Sequence, residues 1–305
     1  MPLSSVTVLA NPQARKGTGL AIADDVARLL IDRGITARVV AGKDLPDAQR
    51  VAAEAVADPS VDAIVAVGGD GSIRLALEAA AGSTTPVGII PAGTGNDLAR
   101  ALGVPLGDLP GAVDVIATGA AKAIDLGRVR LDDTGETTLF VTVAATGFDA
   151  DVTKRAVTMR WPRGQSRYLV AALAEVASLT TRRFTVRVDG ETLADGEVLF
   201  TAIGNTRSYG GGMLITPDAD VHDGRLDVTV ATKDPGVGRA TLLRLLPTVF
   251  SGKHVEHELV RTGRGKVVEV SSDPAALVSV DGDLIGHLPA TFDVLESAVS
   301  VLMPR

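Results

Sequence analysis

The chain contains no cysteine, which excludes disulfides, thiolate zinc centres and thiol nucleophiles; a reducing compartment fits that composition. Aromatic residues make up only 3%, with one Trp, two Tyr and six Phe, so the core must be built from aliphatic side chains. No run reaches the roughly 18 uninterrupted apolar residues that a membrane-spanning helix needs. The opening stretch MPLSSVTVLANPQ lacks a basic segment, and its apolar run is too short for a signal peptide. The expectation is a soluble, cytoplasmic protein that meets a membrane only from the side. Positive charge is also in deficit: 30 Lys and Arg against 37 Asp and Glu leave a net charge of −7, which argues against a nucleic-acid partner.

What remains is an ordinary globular composition, 46% apolar and 22% charged, over 305 residues, enough for two domains. The first 125 residues alternate by type. SVTVLA (5–10), ITARVVA (35–41), VDAIVAV (61–67) and PVGII (86–90) read as buried strands. Each is followed by a helical pattern, the first of which ends at Gly34 in the position after the C-cap. Such alternation implies a Rossmann-like parallel α/β domain with helices on both faces. Beyond Asp125 the segments TTLFVTVAA, FTVRVDG, DGEVLFTAI, RLDVTVAT, KVVEVSS and ALVSVDG read as short strands, and Asp-Gly pairs at 189–190 and 281–282 signal hairpin turns. Helical patterns interrupt near 166–179 and 238–252. The predicted division is an α/β nucleotide-binding domain over 1–125 and a β-rich domain over 126–292, with the closing strand, about 293–305, left unassigned by pattern alone.

In a parallel α/β sheet, ligands bind at the carboxyl ends of the strands. Three loops there carry glycine and polar residues: 11–19, 68–72 and 91–97. In AVGGDGSIRLA a strand stops at Gly68 and a helix begins after Gly71. The first N–H groups of that helix lack partners, and glycines let an anion approach them. Ser72 suits a cap or a phosphate oxygen. Asp70 would repel a phosphate, so its natural partner is a cation such as Mg²⁺ bridging to a nucleotide. IPAGTGNDLAR (90–100) repeats the device with Thr94, Asn96 and Asp97. A tight turn with an Asp or Asn cap is the plainer reading of either loop alone. NPQARKGTG adds Asn11, Arg15 and Lys16, suited to polyphosphate, but no Walker A or Gly-x-Gly-x-x-Gly motif is present.

NP after the first strand, then GGDGS and PAGTGNDLAR, resembles the diacylglycerol kinase catalytic-domain family, specifically its bacterial lipid kinases. The likeness continues through ATGFDADV (145–152), GNTRSYGGGMLITPDADVHDGRLDV (204–228), SGKHVEHE (251–258) and VSVDGDLIGHLP (278–289). The resemblance implies an ATP-dependent lipid kinase with a β-sandwich second domain, an ATP site between the domains, and a final strand returning to the first domain. It places Asn11, Gly69, Asp70, Gly71, Ser72 and Thr94 on nucleotide-binding positions, and Asp70 and Asp97 on carboxylates linked to catalytic Mg²⁺. Asp281 falls on the proposed general base, although its Asp-Gly pair alone reads as a hairpin turn. Asp220, Asp223 and Arg225 fall on a second, structural metal site, with Asp223 giving its side chain and the others main-chain carbonyls. A homodimer is a further expectation from such relatives.

The sequence departs from the family pattern in the longer, more basic QARKGTG, in Ser72 for Thr, in Arg74 and Leu75 for Asn and Glu, and in Asp283 for Glu. These departures bear on specificity; the principal carboxylates all remain. HVEHE places His254 and His257 at helical spacing, but no third ligand for zinc is evident. His222 and His287 border the family motifs. The stretch 153–167 holds Lys154, Arg155, Arg160, Arg163 and Arg167 with Trp161 and no acid, which suits either a solvated loop or a patch for an anionic membrane surface. Rival functions are a kinase of the same superfamily acting on a soluble alcohol such as NAD, and a nucleotide- or lipid-binding regulator without turnover.

Overall fold

A computed structural model describes residues 3–12, 17–159, 170, 171, 174, 182–233 and 244–305. The chain forms two compact units, one comprising Met1–Ile124 with Ser297–Arg305, the other Asp125–Glu296.

In the first unit, β1 (Ser5–Ala10), β2 (Thr36–Ala41), β3 (Ala63–Gly68) and β4 (Val87–Pro91) pair in parallel in the order β2–β1–β3–β4. The C-terminal part of β15 (Ala290–Met303) extends this sheet, with Val301 opposite Val87 in parallel. β3 and β4 are buried at every position, as unbroken apolar strands covered on both faces should be. Helix α1 (Gly19–Asp32) ends in a Schellman motif: Gly34, at φ 80°, donates to Ile31 O and Ile35 donates to Leu30 O. Helix α2 (Leu45–Ala57) is capped by Asp44, whose side chain accepts from Asp47 N. Helix α3 (Asp70–Ala80) buries Ile73, Ala76, Leu77 and Ala80, a single stripe at helical spacing. Burying side chains the size of Ile73 and Leu77 contributes about 1.5–3 kcal/mol each. Short α4 (Asp97–Ala101) follows β4, and α5 (Leu109–Thr118) opens on the cap of Asp108. The sequence pattern does not reveal α5, because its Leu-Pro-Gly start reads as loop.

The strand order reverses direction between β1 and β3, which makes their carboxyl ends the switch point where such sheets bind ligands. Asn11, directly after β1, and the loop at 68–72 lie there.

The second unit is an antiparallel β-sandwich. Its strands run β14 (Asp283–His287), β13 (Leu277–Val280), β7 (Val143–Gly147), β9 (Glu191–Gly204), β8 (Arg182–Val188), β12 (Val267–Asp273) and the first part of β15. β10 (Leu226–Thr232) pairs with β9, β11 (Val260–Gly265) with β10, and β6 (Thr137–Phe140) with β5 (Ala120–Leu131). The interior gathers Val and Ile around Phe140, Phe184 and Phe292, and Phe140 meets Phe292 edge to face at 6.5 Å. Gly127 lies flat beneath the Phe140 ring, where a Cβ would collide with it. The predicted single strand at 137–145 is two: the run breaks at Val141–Thr142 between β6 and β7. Helix α6 (Phe148–Thr158) follows β7, and residues 246–251 and 253–256 form 3-10 turns. Of the predicted helix at 166–179 only residues 170, 171 and 174 are described, all of them helical, and the first half of that at 238–252 lies outside the described residues.

Candidate active site

Two glycine-bearing loops of the first unit press backbone against backbone. Ala92 N donates to Gly68 O at 2.7 Å. A Cβ on Gly69 would lie 3.1 Å from Gly93 Cα, and one on Gly93 would collide with Gly69. A Cβ on Gly68 would strike the Ser72 side chain. Gly71, in the first turn of α3, differs, since a Cβ there would meet nothing within 4 Å. Two of the three glycines thus serve the packing of the loops, while the third leaves the helix N-terminus approachable.

The carboxylate of Asp70 ties the loops together. Its Oδ2 accepts from Asn96 N at 2.9 Å, and its Oδ1 lies 3.4 Å from Leu98 N. Asp70 therefore caps the start of α4 from a different loop. Asn96 sits in the left-handed region at φ 54°, which Asn tolerates, and closes its own turn: its Oδ1 accepts from Gly93 N and its Nδ2 donates to Gly93 O. Both roles escape a reading of the sequence as a plain helix cap. Asn11 Nδ2 donates to Ser72 Oγ at 3.0 Å, bridging the loops after β1 and β3. Thr94 is exposed at the loop tip. Arg15 and Lys16 lie outside the described residues.

Asp97 is 3% exposed, and its charge acts on Asp70. Burial, and then the neighbouring Asp97 charge, push the Asp70 carboxyl above the ordinary carboxylate range, against the pull of the backbone N–H groups. The two carboxylates form an acid pair. It fits a hard divalent cation of the kind that takes one or two carboxylates and completes its shell with phosphate oxygens and water.

In the second unit, Asp281 and Gly282 form the two-residue turn between β13 and β14, with φ of 49° and 88°. Positive φ at both positions is the type I′ hairpin turn. The Asp281 carboxylate reaches back to the break between β6 and β7. Its Oδ2 accepts from Val141 N at 2.9 Å, while Oδ1 accepts from Thr142 N at 2.8 Å and from the Thr142 hydroxyl at 2.6 Å.

The segment Asp220–Arg225 is a tight turn. Asp220 Oδ1 accepts from His222 N, and Asp223 Oδ1 accepts from Arg225 N. Asp223 Oδ2 lies 3.6 Å from an Arg264 guanidinium that also binds Asp227 and donates to Asp218 O. Burial pushes Asp227 up, and the Arg264 guanidinium opposes this. The Arg264 guanidinium thus lies beside Asp223, the one residue of Asp220, Asp223 and Arg225 that the resemblance has giving its side chain to a structural metal. His254 is 2% exposed, with its Nε2 donating to Ile215 O, whereas His257 accepts from Leu259 N through Nδ1. The two rings therefore serve different partners. Among the described residues, no three His, Cys, Asp or Glu side chains form a metal-binding group.

Known proteins match nearly the whole length. Residues 5–129 match the diacylglycerol kinase catalytic domain, and residues 142–303 match the YegS C-terminal NAD kinase β-sandwich-like domain. A diacylglycerol kinase of Mycobacterium tuberculosis is 44% identical over 99% of this chain and 96% of its own length. One from Bacillus subtilis is 31% identical over 85% of this chain and 83% of its own length. Among solved structures, a diacylglycerol kinase from Bacillus anthracis superposes with a TM-score of 0.72 at 18% identity, covering 98% of this chain and 96% of that one. A yeast NADH kinase in complex with NADH shares the fold, with a TM-score of 0.53 at 13% identity over 99% of this chain and 83% of that one. With both domains accounted for and close sequence relatives along nearly all its length, the chain belongs to the bacterial diacylglycerol kinase-like family, a family of kinases.

Proposed function

We propose that the protein transfers the γ-phosphoryl group of ATP to the hydroxyl of diacylglycerol or a related lipid alcohol. The observation that carries this reading is the half-buried Asp70 carboxyl, which bridges the loops at the carboxyl ends of β3 and β4 and is pushed up by desolvation and by the buried Asp97. That pair would hold Mg²⁺, which when bound supplies charge neutralisation to the transferring phosphoryl group. Asn11, Ser72 and Thr94 offer side-chain contacts to the nucleotide, and the backbone at Gly69 and Gly71 offers N–H groups at the start of α3. Phosphoryl transfer depends mainly on alignment, and the loops are locked for it by the Gly69–Gly93 contact and the Asp70 cap. Asp281 accepts the proton from the acceptor hydroxyl.

A lipid acceptor requires contact with a membrane surface. No helix among the described residues is long and apolar enough to cross one. The basic stretch 153–167 is the proposed contact; of its charges Lys154 and Arg155 lie on α6, with Lys154 exposed, while Arg160, Trp161, Arg163 and Arg167 lie outside the described residues.

Incubation with labelled ATP, Mg²⁺ and a panel of lipid alcohols in mixed micelles, beside soluble alcohols including NAD without detergent, tests the reading. Label should enter the lipid fraction. Transfer only to the soluble acceptors would replace the lipid reading with that of a soluble-alcohol kinase, and no ATP consumption with any acceptor would leave a binding protein.

A further inference from the structure

The sequence reads 137–145 as one strand, and the structure breaks it at the two residues whose amides point at Asp281. A strand interior forfeits ladder hydrogen bonds when it breaks, so the freed groups must find partners elsewhere. They do so on both sides. Val141 N and Thr142 N donate to the two different oxygens of Asp281, and Asp281 N donates to Val143 O at 3.1 Å. Behind them, Thr142 O accepts from Asn205 N at 2.8 Å and Thr206 N at 3.1 Å, and Val141 O accepts from Asn205 Nδ2 at 2.9 Å. Asn205 uses its second amide proton on Asp125 O at 3.0 Å. Asn205 is 1% exposed, so this clamp is a fixed part of the interior.

One of the groups shown donating to Asp281 is a side chain. The Thr142 hydroxyl, on a residue 3% exposed, donates to Asp281 Oδ1 at 2.6 Å. The other Asp-Gly turn is an internal control. Asp189 has the same left-handed backbone at φ 50°, its N donates to Val267 O, and its carboxylate also accepts two consecutive amides. Both of those amides, of Lys266 and Val267, converge on a single oxygen, Oδ1, and neither residue carries a hydroxyl. A carboxylate held by one oxygen can still swing its second. One held by both oxygens, with a hydroxyl added, has its plane and direction set. The turn itself does not need that hydroxyl, since the Asp189 hairpin folds without it.

We infer that Thr142 is a positioning residue for the reaction, acting through the Asp281 carboxylate. The inference rests on the reading of Asp281 as the base. The fixed carboxylate presents a constant direction to the acceptor hydroxyl, and misalignment of about 1 Å at such a group costs on the order of a hundredfold in rate.

Single-turnover phosphoryl transfer from Mg²⁺·ATP to diacylglycerol, at saturating substrate, is measured for wild type, Thr142→Val, Thr142→Ser, Asp281→Asn and the double variant Thr142→Val/Asp281→Asn. Thr142→Val, which keeps the shape and the backbone amide, should slow transfer roughly tenfold to a hundredfold with the KM for ATP unchanged. Thr142→Ser should restore most of the rate, and the double variant should be no slower than Asp281→Asn alone. A wild-type rate in Thr142→Val, no rescue by Ser, or additive losses in the double variant would overturn the inference. If instead Asp281→Asn itself keeps a wild-type rate, the base assignment fails, a result separable from the others.

Discussion

The two Asp-Gly hairpins of the second unit are built on one plan and differ in one respect. Both place Asp in the left-handed region, both turn in two residues, and both send the carboxylate to two consecutive amides of a neighbouring segment. At Asp189 those amides are exposed and share one oxygen; at Asp281 they are part-buried, use both oxygens and are joined by a hydroxyl. The shared plan shows how much of Asp281 is turn chemistry. The difference isolates what a positioned carboxylate requires beyond a turn. It also explains why the dipeptide by itself carries no functional meaning.

Replacing each acid separates the two roles most strongly. Asp281→Asn should lose about 10²–10⁴-fold in turnover as proton acceptance is removed, while Asp189→Asn should keep it, both read by label transfer to lipid. Equal losses, or none, would erase the distinction. The same pair should split in stability. An Asn at 189 retains the one oxygen that accepts both amides, so chemical denaturation should shift by less than about 0.5 kcal/mol. An Asn at 281 must turn its NH₂ toward a backbone N–H, and about 1–3 kcal/mol should be lost.

A parallel contrast exists among the glycines of the first unit. Gly93→Ala drives a methyl into Gly69 and should cost about 1–3 kcal/mol with loss of activity, whereas Gly71→Ala enters open space and should leave the melting temperature nearly unchanged. Equal melting temperatures for the two variants would mean that the loops are not packed backbone to backbone. The smallest effect concerns His254, whose burial holds its imidazole below the usual range. The unfolded chain takes up a proton below about pH 6.5 that the folded one refuses, so stability is present above that value and lost as the pH falls. His254→Gln should flatten this acid-side slope by less than about 1.4 kcal/mol for each pH unit in denaturation series from pH 5 to 7.

The sequence and the structure agree where local pattern decides. The four N-terminal strands and α1, with Gly34 closing it, follow from periodicity and one glycine. β11, reading VRTGRG, has no apolar alternation; its conformation comes from pairing with β10, which no local pattern announces. The break at Val141–Thr142 depends on a carboxylate 139 residues further along, so the run TTLFVTVAA could only read as continuous. The loop residues Asp70 and Asp97 were legible as acids near a helix start, but the cap that Asp70 places on α4 was not, because it joins loops 26 residues apart. Asp223 looked like a metal ligand by resemblance, and the Arg264 guanidinium beside it could not be foreseen from spacing.

The account rests above all on Asp70 and Asp97 as the seat of a divalent ion with nucleotide. Calorimetric titration of ATP, with and without Mg²⁺, into wild type, Asp70→Asn and Asp97→Asn tests this directly. Mg²⁺ should tighten ATP binding to the wild type by at least about tenfold, about 1.4 kcal/mol, and that gain should vanish in both variants. A full Mg²⁺-dependent gain in either folded variant would contradict it.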